Sequence, residues 1–491
     1  MSSQTMGSDH KYHTAKLWQI GFFALNNTAT NMYMFILAFV SYYATGVAGL
    51  TVVVVSTILT VMRVFDGITD PIIGFVIDKT ESKFGKFRPM MILGNIILAT
   101  SIILMYSITH HLPQSLQLIF FIAMYALYVI GYTFQTACTK AAQTVLTNDP
   151  KKRPLFAIFD GVYNGLVFTG GQIFVASYLV AKHDGFTMTL FTELNLYGII
   201  LSGVFTFLAV LGISSKDRKE FFGLAETTAN IRFRDFWPVI KGNRPLQMLV
   251  LAASSDKLSF SVMGHAVVGV MLFGILLGDY ELSGQVSAII LVPGILTTFI
   301  AVWYARKTDL KKSLVMSTWI GIISFSLLIV LLFLIDPTTI SLSNFGMATL
   351  IFIILYAVGR GFGTNSGAIV IPMIADVSDY ETYKSGRYVP GMMGTLFSFV
   401  DKLISSLAPA LIGFAVALIG YRSEFPEIGA ALTPSLYGMT IFLAFGVPIL
   451  GWILSLIAMK FYKLDKKKME EIQEAIAEVK EEAKNSDAKV I

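Results

Sequence analysis

Long apolar runs recur along the whole chain, and they constrain its fold more than any other feature of the sequence. A helix of roughly 20 residues crosses the hydrocarbon core of a bilayer, which is about 30 Å thick. Twelve such runs are present, separated by charged or Pro/Asn/Asp-rich breaks. Their approximate bounds are 17–44, 50–77, 89–109, 116–146, 155–181, 194–213, 246–274, 283–305, 313–335, 345–374, 390–420 and 434–460. The sequence therefore predicts an all-α integral membrane protein with twelve transmembrane helices.

The composition supports lipid as the solvent and excludes several other classes of protein. The 491 residues are 55% hydrophobic and 14% charged, whereas soluble domains average about 25% charged. The single cysteine, Cys138, excludes an intrachain disulfide framework and a cysteine metal site. The basic residues are scattered without an aromatic-basic motif, which argues against nucleic-acid binding. The chain has neither an H-E-x-x-H motif nor an ATP-binding motif, so we expect a protein that is not an enzyme and has no cofactor.

The longest polar segment between two runs divides the chain into two six-run parts. It covers residues 214–245 and leaves the following segments: an N-terminus 1–16, an N-terminal half 17–213, a C-terminal half 246–460 and a tail 461–491. Similar basic turns, DKTESKFGKFRP and ARKTDLKK, follow the second run of each half. Two related six-helix halves are typical of two-lobed transporters, in which the substrate site lies between the halves near mid-membrane.

Lysine and arginine concentrate in alternate loops, which predicts the orientation. The basic loops are 78–88, 147–154, 214–245, 306–312 and 375–389. The loops on the other side hold essentially Lys182 and Arg422. By the positive-inside rule, both termini are cytoplasmic. We expect a multi-pass protein of a cell membrane, the bacterial plasma membrane, working as a monomer. The tail has apolar residues at helical spacing, which suggests either a surface helix or a solvated, partly disordered end.

Three charges lie within the second apolar run, in the stretch RVFDGITDP. A charge at this depth costs at least about 2.5–3.5 kcal/mol on insertion scales, so each needs a partner or water. On a helix, Asp66 and Asp70 share one face, and Arg63 lies beside them. Two close carboxylates repel, and a cation or proton held between them removes the conflict. An Arg63–Asp66 ion pair that joins two helices is the alternative, but it leaves Asp70 unexplained.

Further polar side chains lie inside other runs. Lys140 and Asp160 form either a neutral pair across neighbouring helices or part of a substrate cavity. Other polar residues that could line such a cavity are Asn26, Asn27, Gln135, Thr136 and Asn164. Taken singly, such groups are more often interhelical hydrogen bonds than ligand contacts. The seventh run contains Asp256 and Lys257, and the eleventh contains Asp401 and Lys402.

Two long stretches resemble one known family. RVFDGITDPIIGFVIDKTESKFGKFRP is similar to the signature after the second helix of the glycoside-pentoside-hexuronide:cation symporters, a branch of the major facilitator superfamily that includes the melibiose permeases. IPMIADVSDYETYKSGRYVPGMMGTLFSFVDKLISSLAPALIGFAVALIGY resembles the block after its tenth helix, and TNDPKKR resembles its turn between helices four and five. With the twelve runs, the resemblance covers nearly the whole chain.

This resemblance implies the major facilitator fold and cation-coupled uptake of a glycoside by alternating access. It assigns the coupling H⁺ or Na⁺ to Asp66 and Asp70, with Lys402 and Thr136 nearby and Arg63 in a structural role. The residues expected to contact the sugar are Asn26, Asn27, Lys140, Asp160 and Asn164. Those expected at a cytoplasmic gate are Asp78, Gly85, Arg88, Asp376 and Arg387.

The sequence departs from the melibiose permeases at acidic positions. It has no acid between Leu17 and Thr45, where they have a sugar-binding Asp, and Thr136 stands at the position of another Asp. These changes leave two alternatives open: the same fold carrying a non-sugar amphiphile, and sugar exchange or uniport without tight cation coupling.

Overall fold

The computed structural model describes residues 14–80, 82–147, 152–218, 241–385, 397, 399–400 and 402–487. Helices occupy all twelve positions that the apolar runs predict, and these ranges contain no strand. We label these helices, and the helix of the tail, α1 (Leu17–Leu37), α2 (Val52–Lys79), α3 (Phe87–Ile108), α4 (Gln114–Ala141), α5 (Arg153–Ile173), α6 (Met188–Ile213), α7 (Arg244–Met263), α8 (Glu281–Lys307), α9 (Leu310–Leu334), α10 (Met347–Ser385), α11 (Leu407–Leu418), α12 (Pro434–Phe461) and α13 (Lys466–Asp487).

Most of these helices are long and apolar enough to cross a bilayer. Among the described residues, nine helices pass this test, and the bent pair Arg244–Met263 and Ala266–Leu276 forms a tenth if it is one span. The two remaining positions are occupied by α1 and by the shorter segment Lys402–Leu418. Large apolar side chains face outward, such as Trp303 at 60% and Phe333 at 64% exposure. Lipid must solvate these side chains, which agrees with the predicted fold class.

Local sequence signals account for several helix starts. Asn243 accepts a hydrogen bond from the Leu246 amide at 2.9 Å, with Pro245 in the first turn of α7. Asp309 accepts one from the Lys312 amide at 2.7 Å at the start of α9. Such side-chain caps satisfy amides that have no partner within the helix, and proline in the first turn removes one of those donors.

The chain divides into two compact units. Unit 1 comprises Met1–Val40, Ile68–Gly171 and Met188–Thr227. Its buried cluster includes Phe23, Met91, Phe134, Cys138 and Ile213. Within it, α3 and α4 approach closely: a Cβ added at Gly131 would lie only 3.0 Å from the Gly94 carbonyl oxygen. Small residues at such a crossing allow two membrane helices to pack backbone to backbone.

Unit 2 comprises Ser41–Gly67, Gln172–Thr187 and Thr228–Ile491. Its buried cluster includes Leu249, Met373, Val377, Met459 and Ile472. Ile472 belongs to α13, so the tail forms a helix with an apolar residue in this core. The division into halves 17–213 and 246–460 remains a prediction.

Candidate functional site

The carboxylate of Asp66 is buried in the middle of α2 and pairs with a lysine. Asp66 is 5% exposed, and its Oδ2 lies 3.2 Å from Nζ of Lys402, whose side chain is 31% exposed. Asp70 follows one turn later on the same helix and is half-buried, while Arg63, one turn earlier, is exposed. The helix is continuous through all three residues, as their predicted common face requires. The ammonium group therefore neutralises Asp66 in this conformation.

The part of α2 that follows Asp66 is joined to α4 by a hydroxyl pair. The Oγ1 atoms of Thr69 and Thr133 lie 3.2 Å apart, and both residues are buried. Thr136, predicted near the cation site, donates to the Tyr132 carbonyl of its own helix at 3.0 Å. Thr133, rather than Thr136, is therefore the α4 hydroxyl that contacts α2.

Two half-buried polar pairs connect α1 and α5, one helical turn apart. Asn27 donates through Nδ2 to Oδ1 of Asp160 at 2.6 Å, and Asn31 donates to Oδ1 of Asn164 at 2.9 Å. We call these four residues the α1–α5 polar ladder. Asn31 was missed in the sequence, although its spacing of four from Asn27 matches the spacing from Asp160 to Asn164. Lys140 lies exposed on α4, so in the described residues the partner of Asp160 is Asn27 and not Lys140.

A second set of α1 side chains is buried against α4. Asn26 donates through Nδ2 to the Gln135 carbonyl at 3.1 Å and to Thr139 Oγ1 at 2.8 Å. Thr30 donates to Gln135 Oε1 at 2.6 Å. Asn26, Thr30 and Gln135 are each 0% exposed. These groups hold α1 on α4, which is the interhelical role expected of most polar residues in membrane helices.

The basic turn before α3 is organised by an acid that the sequence did not single out. Asp217, which follows α6, accepts hydrogen bonds from the amides of Lys86, Phe87 and Arg88 at 2.9, 3.0 and 2.9 Å. Nε of Arg88 lies 3.5 Å from Oδ2 of Asp217. Gly85 has φ +93°, and a Cβ there would overlap the Asp217 carboxylate. Glycine at this position thus satisfies both the backbone conformation and the close approach.

The other predicted gate residues are less fully placed. Asp376 is half-buried on α10. The side chain of Asp78, and the whole of Arg387, lie outside the described residues. Among the predicted gate residues, the described contacts therefore join Gly85 and Arg88 through Asp217.

The all-helical fold, its apolar outer surface and its paired internal charges define a transporter of the major facilitator class. The crystal structure of a mutant of the nucleoside transporter NupG has the same fold, with a TM-score of 0.60 at 12% identity, covering 91% of this chain and 100% of that one. The family described as MFS/sugar transport protein matches residues 22–466. The chain belongs to this family.

Relatives with symporter names match over most of their length. The chain is 24% identical over 460 residues to the uncharacterized symporter YnaJ of Bacillus subtilis (strain 168), covering 91% of each protein. It is 25% identical over 447 residues to YagG of Escherichia coli (strain K12), whose name proposes a glycoside/cation symporter, covering 89% of each. The resemblance to the glycoside-pentoside-hexuronide:cation symporters is thereby confirmed, and the chain is a multi-pass membrane transporter.

Proposed function

We propose that this protein takes up a sugar, namely a glycoside, pentoside or oligosaccharide, together with H⁺ or Na⁺ by alternating access. We place it in the bacterial plasma membrane as a monomer with both termini in the cytoplasm. The observation that carries the proposal is the buried Asp66–Lys402 ion pair in the middle of an apolar helix. The glycoside/cation name of the relative YagG supports the same substrate class.

The ion pair provides a physical basis for coupling. Lys402 compensates the charge of Asp66 at 3.2 Å, and its side chain is 31% exposed. A cation or proton bound by Asp66 and Asp70 would take over this compensation and release Lys402. Such an ion drives a conformational change only if it binds one conformation more tightly than the other. Competition with Lys402 supplies that difference in affinity if the Asp66–Lys402 pair forms in one of the two conformations and not in the other.

The α1–α5 polar ladder is the proposed sugar-binding surface. Sugar hydroxyls donate to carboxylates and carbonyl oxygens and accept from amide N–H groups, and the ladder offers both kinds of partner. Asn27 and Asp160 are half-buried, so a ligand can reach them. Asn26 is fully buried against α4, and we assign it to positioning α1. The exposed ammonium of Lys140 would suit a glycoside that carries a carboxylate.

We propose that the turn between α2 and α3 is part of a cytoplasmic gate. Asp217 binds the amide and the side chain of Arg88 and so fixes the start of α3 in this conformation. We propose that these contacts, together with Gly85, form part of the gate. We assign Asp78, Asp376 and Arg387 to the same gate on the basis of the family resemblance.

The test is uptake of labelled glycosides, pentosides and oligosaccharides by the purified full chain in liposomes. We expect accumulation of at least one sugar under an inward H⁺ or Na⁺ gradient, and its loss when an ionophore collapses the gradient. As a control, Asp336→Asn changes an exposed carboxylate in the loop after α9 and should leave this uptake unchanged. Uptake at the same rate with and without the H⁺ and Na⁺ gradients would indicate exchange or uniport. Competition by amphiphiles and not by free sugars would indicate the other cargo class.

A further inference from the structure

A carboxyl group in unit 2 is buried more completely than Asp66 and has no part in the proposed function. Asp256 lies on α7 and is 2% exposed. Its Oδ2 accepts a hydrogen bond from Oγ of Ser455 on α12 at 3.2 Å. Its Oδ1 is buried and makes no hydrogen bond to any residue that the structure describes.

The surroundings of Asp256 are small and tightly packed. Ser259, one turn along α7, donates to the Ser255 carbonyl at 2.8 Å and is 1% exposed. A Cβ added at Gly451 of α12 would overlap the Ser259 hydroxyl. The two helices are therefore in close contact at this level, and the hydroxyl of Ser455 is the polar group that they bring to the carboxyl.

The charged groups on the helices that pack against α7 lie elsewhere. Those on the described parts of α7, α10 and α12 are Arg244, Lys257, Arg360, Asp376, Asp379, Glu381, Lys384 and Lys460, and the segment Lys402–Leu418 adds Lys402. Lys257 follows Asp256 directly, so it points about 100° away around the helix. Lys460 lies five residues beyond Ser455, about 7.5 Å along the axis of α12.

Several of the other charged groups have partners elsewhere. Arg360 donates to the Tyr356 hydroxyl at 2.9 Å, and Nζ of Lys402 lies 3.2 Å from Asp66. Glu381 accepts a hydrogen bond from Asn243 at 2.8 Å, and Asn243 lies about 20 Å along the helix axis from Asp256. Asp379 accepts one from Gln473 of α13 at 2.7 Å. Among the residues that the structure describes, none forms an ion pair with Asp256.

An ionised carboxylate in this position would have one neutral donor and no countercharge, which is strongly unfavourable in a buried site. The neutral acid removes that cost, and a serine hydroxyl can accept a hydrogen bond from it as readily as donate one. We propose that Asp256 and Ser455 form a proton-binding site in unit 2, in which the carboxyl carries a proton at neutral pH. The proton comes from water, bonds to a carboxyl oxygen and returns to water on release. Asp256 and Ser455 are not among the residues that we assign to coupling.

Infrared spectroscopy of the full chain in lipid bilayers tests the proposal without substrate or an ion gradient, so its outcome is independent of the proposed function. At neutral pH, the wild-type spectrum should contain a protonated-carboxyl C=O band that is missing from the Asp256→Asn spectrum. The band should remain in the control Asp336→Asn. Identical carboxyl regions in wild type and Asp256→Asn would overturn the proposal.

A second pair of variants keeps the proposal testable if Asp256→Asn does not fold. Ser455→Ala removes the hydrogen-bond partner and should shift the frequency of the same band, whereas Ser455→Thr retains the hydroxyl and should leave it in place. A band that is unchanged in Ser455→Ala would contradict the assignment to Asp256.

Discussion

Asp66 and Gly85 illustrate two different demands on single residues in this membrane protein. Asp66 is buried in an apolar helix because Lys402 supplies a countercharge 3.2 Å away. Gly85 adopts φ +93° where the Asp217 carboxylate leaves no room for a side chain. In each case one partner, distant in the sequence, determines which residue is tolerated. Removal of that partner is therefore the informative change.

Lys402→Ala should destabilise the protein because it removes the ammonium group that lies 3.2 Å from the buried Asp66 carboxylate. We expect the free energy of unfolding to fall by about 1–3 kcal/mol. This is less than for a fully buried pair, because Lys402 is partly exposed. The double variant Asp66→Asn/Lys402→Ala should recover most of it, as measured by thermal unfolding in detergent. The matched control is Lys312→Ala, which breaks an ion pair to Asp309 at 3.1 Å from a lysine that is 64% exposed, and it should cost about 1 kcal/mol or less. Equal losses in both lysine variants would contradict this account of the buried pair.

Gly85→Ala should be more damaging than another substitution at a left-handed glycine. Gly49 has φ +71° with nothing within 4 Å of an added Cβ, so Gly49→Ala tests backbone strain alone. We expect Gly49→Ala to cost about 1–2 kcal/mol and Gly85→Ala about 2–4 kcal/mol, because the latter also displaces the cap of α3. The thermal unfolding midpoints of the two variants measure the difference. If they match, the contact with Asp217 does not constrain Gly85.

Two helices, α3 and α13, are each held by contacts with other parts of the chain. The first amides of α3 are satisfied by Asp217, about 130 residues further along the chain, which also places a negative charge at the positive end of the helix dipole. The tail helix α13 is held in the core of unit 2 by Ile472, which is 0% exposed. Both contacts fix polypeptide at the ends of membrane-spanning helices.

Asp217→Ala should destabilise the protein more than the loss of an ordinary cap. Three amides and Arg88 lose their acceptor, so we expect the free energy of unfolding to fall by about 2–4 kcal/mol. Asp309→Ala is the control, because Asp309 caps α9 through one amide at 2.7 Å, and its loss should cost about 1 kcal/mol. Unfolding midpoints in detergent compare the two. A smaller effect at Asp217 than at Asp309 would show that the amides of α3 find other partners.

Ile472→Ala should test the attachment of α13. A buried isoleucine reduced to alanine typically costs about 2–5 kcal/mol, and we expect the lower part of this range for a peripheral helix. Glu474→Ala, two residues away on the exposed face, should change stability by less than about 0.5 kcal/mol. Protease cleavage within the tail, followed over time, should accelerate only in Ile472→Ala. Equal cleavage rates would indicate that α13 is not held by this residue.

At the scale of the whole molecule, the sequence predicts the helices far better than it predicts their contacts. Apolar runs place all twelve helices because spanning a bilayer requires a fixed length of apolar residues. The pairing of Asp66 with Lys402 joins positions over 300 residues apart, and the family resemblance indicated it where periodicity did not. The role of Asp217 was missed because nothing in SSKDRK distinguishes a cap from an ordinary loop acid. Opposite charge alone suggests a pair of Lys140 with Asp160, and the structure instead joins Asp160 to Asn27.

Coupling of an ion gradient to transport by the carboxylates of α2 is tested most directly by measuring accumulation and exchange separately. Asp66→Asn and Asp70→Asn are reconstituted in liposomes, and uphill uptake and substrate exchange are measured on the same preparations. We expect each variant to lose gradient-driven accumulation and at least one to retain exchange, because neither substitution changes the proposed sugar-binding surface. Unchanged uphill uptake in both variants would contradict it.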